Sequence, residues 1–287
     1  MKSLLTSLLR NKRLLKDFVV RDLRARYIGS SMGFFWSVVY PIVNLFVYMF
    51  VFSLVLNVRF SDKAPPTQVA LWMLAGIIVW AAYAETVSRT TNTLVDNANL
   101  IQKVVFPSEV LPAYLTVSSL INMCIGLPIV ILGVIWFAYL SPDAPVHASL
   151  GGGVAAAERS LALGPSLISL PLLFAAQAMF TVGLGYFLAT FNLFLRDTYH
   201  LIGVLVTVWM FSTPIFYPEE RVVSEGFGWM LQINPMHWLI HCYREILVYG
   251  NWPNWLLLGR FAVVGTLVLA AGSTFFMKHK PRFPDLL

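Results

Sequence analysis

Three side chains are spaced to share a metal ion: His237, His241 and Glu245 stand four and four residues apart, which places them on one face of a helix. A zinc hydrolase of the His-Glu-x-x-His kind needs a glutamate directly after the first histidine, and Trp238 occupies that place. The two histidines, set among Trp238, Leu239 and Ile240, are read as ordinary amphipathic residues, so no metal site is assigned. The phosphate-binding loop G-x-x-x-x-G-K-[ST], the nucleophile elbow G-x-S-x-G and a Cys-x-x-Cys pair are all absent, and Cys124 and Cys242 make no disulfide framework. No catalytic residue is assigned, and ATP hydrolysis by phosphate-loop chemistry is excluded for this chain.

Recognition by aromatic planes is the chemistry that remains. Phe35, Trp36, Tyr40, Phe46 and Phe50 fall within roughly 140° of arc on a helical wheel. Trp209 and Phe216 share a second face with Ser212 and Thr213. Flat rings beside hydroxyls suit sugars, whose C–H faces stack while their hydroxyls hydrogen-bond. Rings at a membrane also contact lipid or pack between helices. On spacing alone both roles stay open.

The elements that carry these residues are apolar blocks: Gly33–Leu56, Val69–Ala84, Val110–Leu140, Ser166–Leu195, Leu201–Tyr217 and Trp255–Met277. Most reach the roughly 17–25 residues a membrane-spanning helix needs, and Glu85 and Pro218 close the two shortest sharply. The 287 residues are 58% hydrophobic and only 12% charged, about half the charged share of a soluble domain. The sequence predicts an all-α integral membrane protein of about six transmembrane helices in one compact domain.

Basic residues set its orientation. Lys2, Arg10, Lys12, Arg13, Lys16, Arg21, Arg24 and Arg26 precede the first span, and an even number of spans places Arg89, Lys103, Arg196, Lys278, Lys280 and Arg282 on the same side. The opposite side receives Arg59, Lys63, Arg159, Arg221 and Arg244. By the positive-inside rule both termini are cytoplasmic, and the net charge of +6 gathers where anionic lipid lies. Membrane lipid rather than nucleic acid is the expected partner of that charge. The first apolar block starts late and is too long for a signal-peptide core.

Four segments are not simple spans. Ser3–Tyr27 puts Leu4, Leu8, Leu15, Val19 and Leu23 opposite Arg10, Arg13, Arg21 and Arg24, with a joint at Asn11, and reads as an amphipathic helix on the membrane surface. A basic flank that only sets topology is the alternative. Ser88–Pro107 carries an apolar stripe of Leu94, Ala98, Ile101 and Val105 against a polar one of Asn92, Asp96, Asn99 and Lys103, and Pro107 stops it. Such a helix either rests at the interface or receives force from a partner. The stretch 141–165, rich in Gly, Ala, Pro and Ser, is a flexible outer loop. Pro218–Pro253 is too apolar for a solvated loop and predicts short helices dipping into the outer leaflet, with a seventh span as the alternative.

Four stretches, RDLRARYIGSSMGFFWSVVYP (21–41), NANLIQKVVFPSEVLPAY (97–114), FLRDTYHLIGVLVTVWMFSTPIFYP (194–218) and NPMHWLIHCYREILVYG (234–250), resemble the membrane subunit of type-2 ABC exporters, in the branch that exports O-antigen, teichoic acid and capsular polysaccharide. The resemblance implies a homodimer of six-span subunits in the bacterial inner membrane, each docked on a separate ATPase subunit that binds ATP and Mg; this chain itself needs no cofactor. It implies a membrane-surface role for Arg21, Asp22, Arg24, Arg26 and Tyr27. Asn97, Asn99, Leu100, Ile101, Lys103, Phe106 and Pro107 would meet the ATPase, and the first and fifth spans would line a channel for a lipid-linked polysaccharide.

The implied organisation is an interface segment (1–32), a six-span domain (33–277) with a coupling segment (88–109), an outer loop (141–165) and a re-entrant region (218–254), and a basic tail (278–287). The loop 141–165 is longer than is usual in that family. A permease for another lipid or hydrophobic substrate is the nearest alternative. A membrane-embedded glycosyl or lipid transferase would need clustered carboxylates or metal ligands at the interface, and here they are scattered. A secondary carrier would show repeats or broken spans with midplane charge.

Overall fold

The computed structural model describes residues 2–26, 35–55, 66–140 and 161–287, with the backbone alone at Trp36 and a few other helical positions. Tyr27, Arg59, Lys63, Arg159 and nearly all of the predicted loop 141–165 lie outside the described residues, as does the side chain of Trp36. Every regular element among the described residues is helical. Four stretches are long and apolar enough to cross a membrane, Gln68–Asp96, Val110–Leu140, Pro165–Phe194 and Trp255–Leu286, and two shorter apolar helices cover Val39–Val51 and Thr198–Ser212. The chain is an all-α integral membrane protein.

In chain order the helices are α1 (Lys2–Arg10), α2 (Lys12–Ala25), α3 (Trp36–Tyr48), α4 (Pro66–Asp96), α5 (Ala98–Lys103), α6 (Val110–Ile135), α7 (Leu170–Phe194), α8 (Thr198–Ser212), α9 (Glu219–Ser224), α10 (Gly228–Ile233), α11 (Pro235–Leu247), α12 (Trp255–His279) and α13 (Phe283–Leu286). Helix α4 is the central one: Val69 to Ala75 are all buried, and it packs against α6, α7, α8 and α11. Helices α7 and α12 approach backbone to backbone, because a Cβ on Gly272 would collide with the carbonyl of Gly183. Small residues allow that approach, which gives packing where lipid removes the hydrophobic drive between helices.

Where local side chains neutralise one another, the structure departs from the sequence reading. The second apolar block stops at Glu85 in sequence, yet α4 runs on to Asp96. Glu85 pairs with Arg89 one turn later and with Arg26, just after α2, at 2.5 Å, while Thr86, Thr90 and Thr91 return their hydroxyls to carbonyls of the preceding turn. Thirty-one residues make a helix of about 46 Å, so α4 is longer than the roughly 30 Å hydrocarbon layer is thick. The predicted amphipathic helix 88–107 is therefore split. Asn92 and Asp96 belong to α4, the chain turns at Asn97, and only Ala98–Lys103 form a separate short helix.

Two face assignments change for a similar reason. Residues Met49–Val55 are π-helical, so Phe50 does not follow the wheel that grouped it with Phe35, Tyr40 and Phe46. Helix α8 ends at Ser212 and Thr213 is extended, because Pro214 disfavours the helical conformation in the residue before it. Thr213 and Phe216 thus leave the helical face that holds Trp209.

Candidate functional site

The polar side chains gather at the two ends of the bundle. At the end that carries α5, the apolar stripe of α1 and α2 seats on protein: Leu4, Phe18 and Val19 are buried, and the Phe18 ring lies 5.7 Å from Phe106 and 5.2 Å from Tyr114. Arg10, Lys12, Arg13, Lys16, Arg21 and Arg24 point outward. Asn11 is the joint between α1 and α2.

Of the residues assigned to the membrane surface, Asp22 and Arg26 instead join a half-buried ion network. Arg89 of α4 binds both oxygens of Asp22, Arg26 bridges Asp22 and Glu85, and Ser118 of α6 donates to Asp22 at 2.5 Å. Burial opposes ionisation of the Asp22 carboxyl, but hydrogen bonds from Arg89 and Ser118 and the nearby cations outweigh it and hold it below its usual value. The network fastens α2 to α4 and α6.

The predicted partner-binding residues divide. Ile101 is buried, Leu100 and Phe106 are partly so, and they pack into a core with Leu94, Leu111, Tyr186, Phe276 and Phe283. Asn99 and Lys103 are exposed, while Asn97 and Pro107 are half-buried. Val105, placed by periodicity on the apolar stripe, is fully exposed, and Val104 beside it is 58% exposed. The helix stops at Lys103, so Val105 never reaches the seat that Ile101 fills.

At the other end α11 is enclosed by α4, α7 and α12, with Met236 to Ile240 and Cys242 to Val248 all buried. Thirteen residues are too few to cross, and no seventh span forms among the described residues. Asn234 caps it, its side-chain oxygen accepting from the backbone N–H groups of Met236 and His237, with Pro235 in the first turn. The same side chain reaches the end of α8. Its oxygen accepts from the Trp209 indole at 2.9 Å, and its amide donates to the Thr213 hydroxyl at 2.9 Å and to the Ser212 carbonyl at 3.3 Å.

Arg244, an outer-loop charge in the sequence reading, is fully buried in α11. Its guanidinium donates to the carbonyls of Trp72 at 3.1 Å, Pro214 at 2.8 Å and Ile215 at 3.2 Å, and stacks 3.1 Å from the Trp72 ring centroid. The fifteen residues of α8 reach only about 22 Å, short of the roughly 30 Å hydrocarbon layer, and the chain continues from Thr213 as irregular backbone. Such backbone survives at depth only where protein satisfies it. Arg244 and Asn234 supply those donors, and sequence spacing marks neither for this task. The Asn-Pro pair at 234–235 is a legible helix start, whereas Arg244 is signalled only as a charge among apolar neighbours.

The predicted channel residues fall into two groups. Phe35, Tyr40, Phe46 and Phe50 are exposed, as are Val204, Leu205, Val208 and Phe211 along α8. Trp209 instead packs edge-on against Trp80, Tyr83 and Phe180. The Ser212 hydroxyl donates to the Val208 carbonyl, that of Thr213 donates to the Trp209 carbonyl, and the Phe216 ring lies 6.2 Å from Phe211.

The histidines face a different carboxylate from the one their spacing offered. His241 Nδ1 lies 3.1 Å and His237 Nδ1 3.7 Å from Glu219 Oε1, while Glu245 is 3.8 Å from His241 Nε2. Burial pushes His237 down to about 4 despite Glu219, so it is neutral at pH 7. No group of three His, Cys, Asp or Glu among the described residues is arranged to hold a metal.

These features define a membrane-embedded helical subunit whose polar apparatus sits at its ends and which lacks the phosphate loop of an ATPase. The family described as ABC-2 type transporter matches residues 14–248, and the chain belongs to it. It is similar to the O-antigen export system permease protein RfbA of Myxococcus xanthus, 29% identical over 273 residues that cover 95% of this chain and 94% of that one. It also resembles two proteins of the same description from Klebsiella pneumoniae, each 25% identical over 267 residues, covering 93% of this chain and 92% of theirs. The chain is the membrane permease, and ATP hydrolysis lies in a separate nucleotide-binding subunit.

Proposed function

We propose that this permease exports a lipid-linked polysaccharide of the O-antigen or teichoic-acid kind from the cytoplasm across the bacterial inner membrane. The observation that carries this reading is a match over nearly the whole chain to permeases described as O-antigen exporters. In this reading two copies form a homodimer, each served by one ATPase subunit that binds ATP and Mg, with both termini cytoplasmic. The exposed residues of α3 and α8, Tyr40 and Phe46 on the first, with Phe35 just before α3 and Phe50 just after it, would flank the path of the polymer. Trp36, Ser212 and Phe216 would join them. Trp209 and Thr213 would act by holding the end of α8 in place.

At the cytoplasmic end, the exposed tip formed by Asn99, Lys103, Val104 and Val105 would meet the ATPase, while Leu100 and Ile101 seat α5. Depleting the protein tests the substrate. A lipid-linked polymer accumulating in the cytoplasmic leaflet is the expected outcome. Accumulation of a different lipid, with polymer export unchanged, would replace this reading by that of a lipid exporter.

A further inference from the structure

Three segments remote in sequence meet at one buried carboxylate. Glu109, 1% exposed, stands at the entrance to α6, just after the non-helical link 104–107. Its side chain accepts a hydrogen bond from Ser7 of α1 and pairs with Lys280, which follows α12, at 2.5 Å. Its backbone carbonyl accepts from the Tyr186 hydroxyl of α7 at 2.7 Å. Burial opposes ionisation of Glu109, but hydrogen bonds from Lys280 and Ser7 and the charge of Lys280 prevail and lower its pKa. Beyond Lys280 the chain folds back, so the predicted basic tail is ordered. Phe283 is buried against Phe276, with ring centroids 5.0 Å apart, and α13 rests on α5.

Helix α5 needs such support. Six residues are too few to hold a helix by its own hydrogen bonds, and residues 104–107, which link it to α6, are not helical. A push on α5 alone would bend the link. Coupling over distance is carried by packed elements that move together.

We propose that segment 280–287 is a clamp on α5. Lys280, acting through Glu109, and Phe283, acting through the core beneath α5, are positioning residues that make α1, α5, α6 and α12 one unit for force transmission. This rests on the proposed docking of α5 on the ATPase.

The test uses the full complex with its ATPase in proteoliposomes and compares Lys280→Gln, Lys280→Arg, Phe283→Ala and the exchanged pair Glu109→Lys with Lys280→Glu. Polymer exported per ATP hydrolysed is read beside the amount of folded complex. Lys280→Gln and Phe283→Ala should each lower export per ATP by about threefold or more, within the range of coupling changes that single residues cause. Lys280→Arg should restore it, and the exchanged pair should recover part of it.

Parental export per ATP in both Lys280→Gln and Phe283→Ala would overturn the proposal. So would variants that lower only the amount of folded complex, since the contacts would then be structural alone. If the parent moves no lipid-linked polymer, the proposed substrate fails instead, and the clamp is read from permease-dependent ATPase stimulation. That stimulation should fall in Lys280→Gln and return in Lys280→Arg, and an unchanged value overturns the clamp.

Discussion

Each end of the bundle holds one charged side chain no more than 2% exposed, Arg244 at one and Glu109 at the other, and the two are accommodated differently. Arg244 spreads its guanidinium over three backbone carbonyls and a tryptophan face, all inside the fold. Glu109 relies on side chains, Ser7 and a Lys280 that is 31% exposed. A backbone carbonyl has no other rotamer to adopt, whereas a lysine at the surface can exchange its partner for water. The α11 end is therefore built to fix a shape, and the α5 end to hold contacts that can be traded when a partner pushes.

Replacing Arg244 should have the largest effect. Arg244→Gln strands up to three buried carbonyls, each worth about 1–3 kcal/mol. Arg244→Lys should fare little better, because a compact ammonium cannot span the fork. Thermal unfolding in detergent should show both variants strongly destabilised, and a parental midpoint in either would remove the contrast between the ends.

Trp209 and Tyr40 sharpen it next, since one belongs to the fixed end and the other to an open face. Trp209→Leu removes a packed indole and its bond to Asn234, and should cost about 1–3 kcal/mol with a matching fall in folded protein. Tyr40→Leu should leave the folded amount unchanged and lower export. Equal folded amounts for the two would show that Trp209 is not a packing residue.

Acid should also loosen the α5 end. Because the folded state holds the Glu109 carboxyl below its ordinary 4.5, the pair contributes stability that is present above that value and lost as pH falls through the folded-state pKa. The protection of segment 280–287 against hydrogen exchange, taken relative to the intrinsic rate at each pH, should fall in acid, and in Lys280→Gln it should already be low at neutral pH. Protection unchanged with pH would place the stability of this end in its apolar contacts alone.

The smallest effect on stability is expected at Val105. Val105→Asp should change stability by no more than about 0.5 kcal/mol, as exposed positions do, yet reduce co-purification of the ATPase. Ile101→Asp, which puts a charge beneath α5, should reduce the folded amount as well. Identical behaviour of the two would restore the single apolar stripe that periodicity drew through both.

Much of the architecture was legible in the sequence because a bilayer imposes a length and polarity that apolar blocks satisfy locally. Val110–Leu140 reappears with the same bounds, the fourth block differs from the span Pro165–Phe194 by one residue at each end, and the sixth stops two residues before the end of α12. The joint at Asn11 and the family stretches were equally readable. What sequence could not supply was the partner of each charge. Glu85 looked like an end because an isolated carboxylate belongs at a surface, and it lies within a helix because Arg26 and Arg89 neutralise it. Periodicity carried Val105, Thr213 and Phe216 past points where the backbone changes conformation, so their assigned faces failed.

By itself, then, the sequence determined that this is a multi-pass helical membrane protein without a phosphate loop, for hydropathy and motif are properties of contiguous residues. Tertiary structure decided that α8 ends early, that Asn234 and Arg244 complete it, and that Glu109 gathers α1, α7 and segment 280–287. Each of those depends on which distant side chain satisfies a buried polar group, and that distance is written in the fold alone.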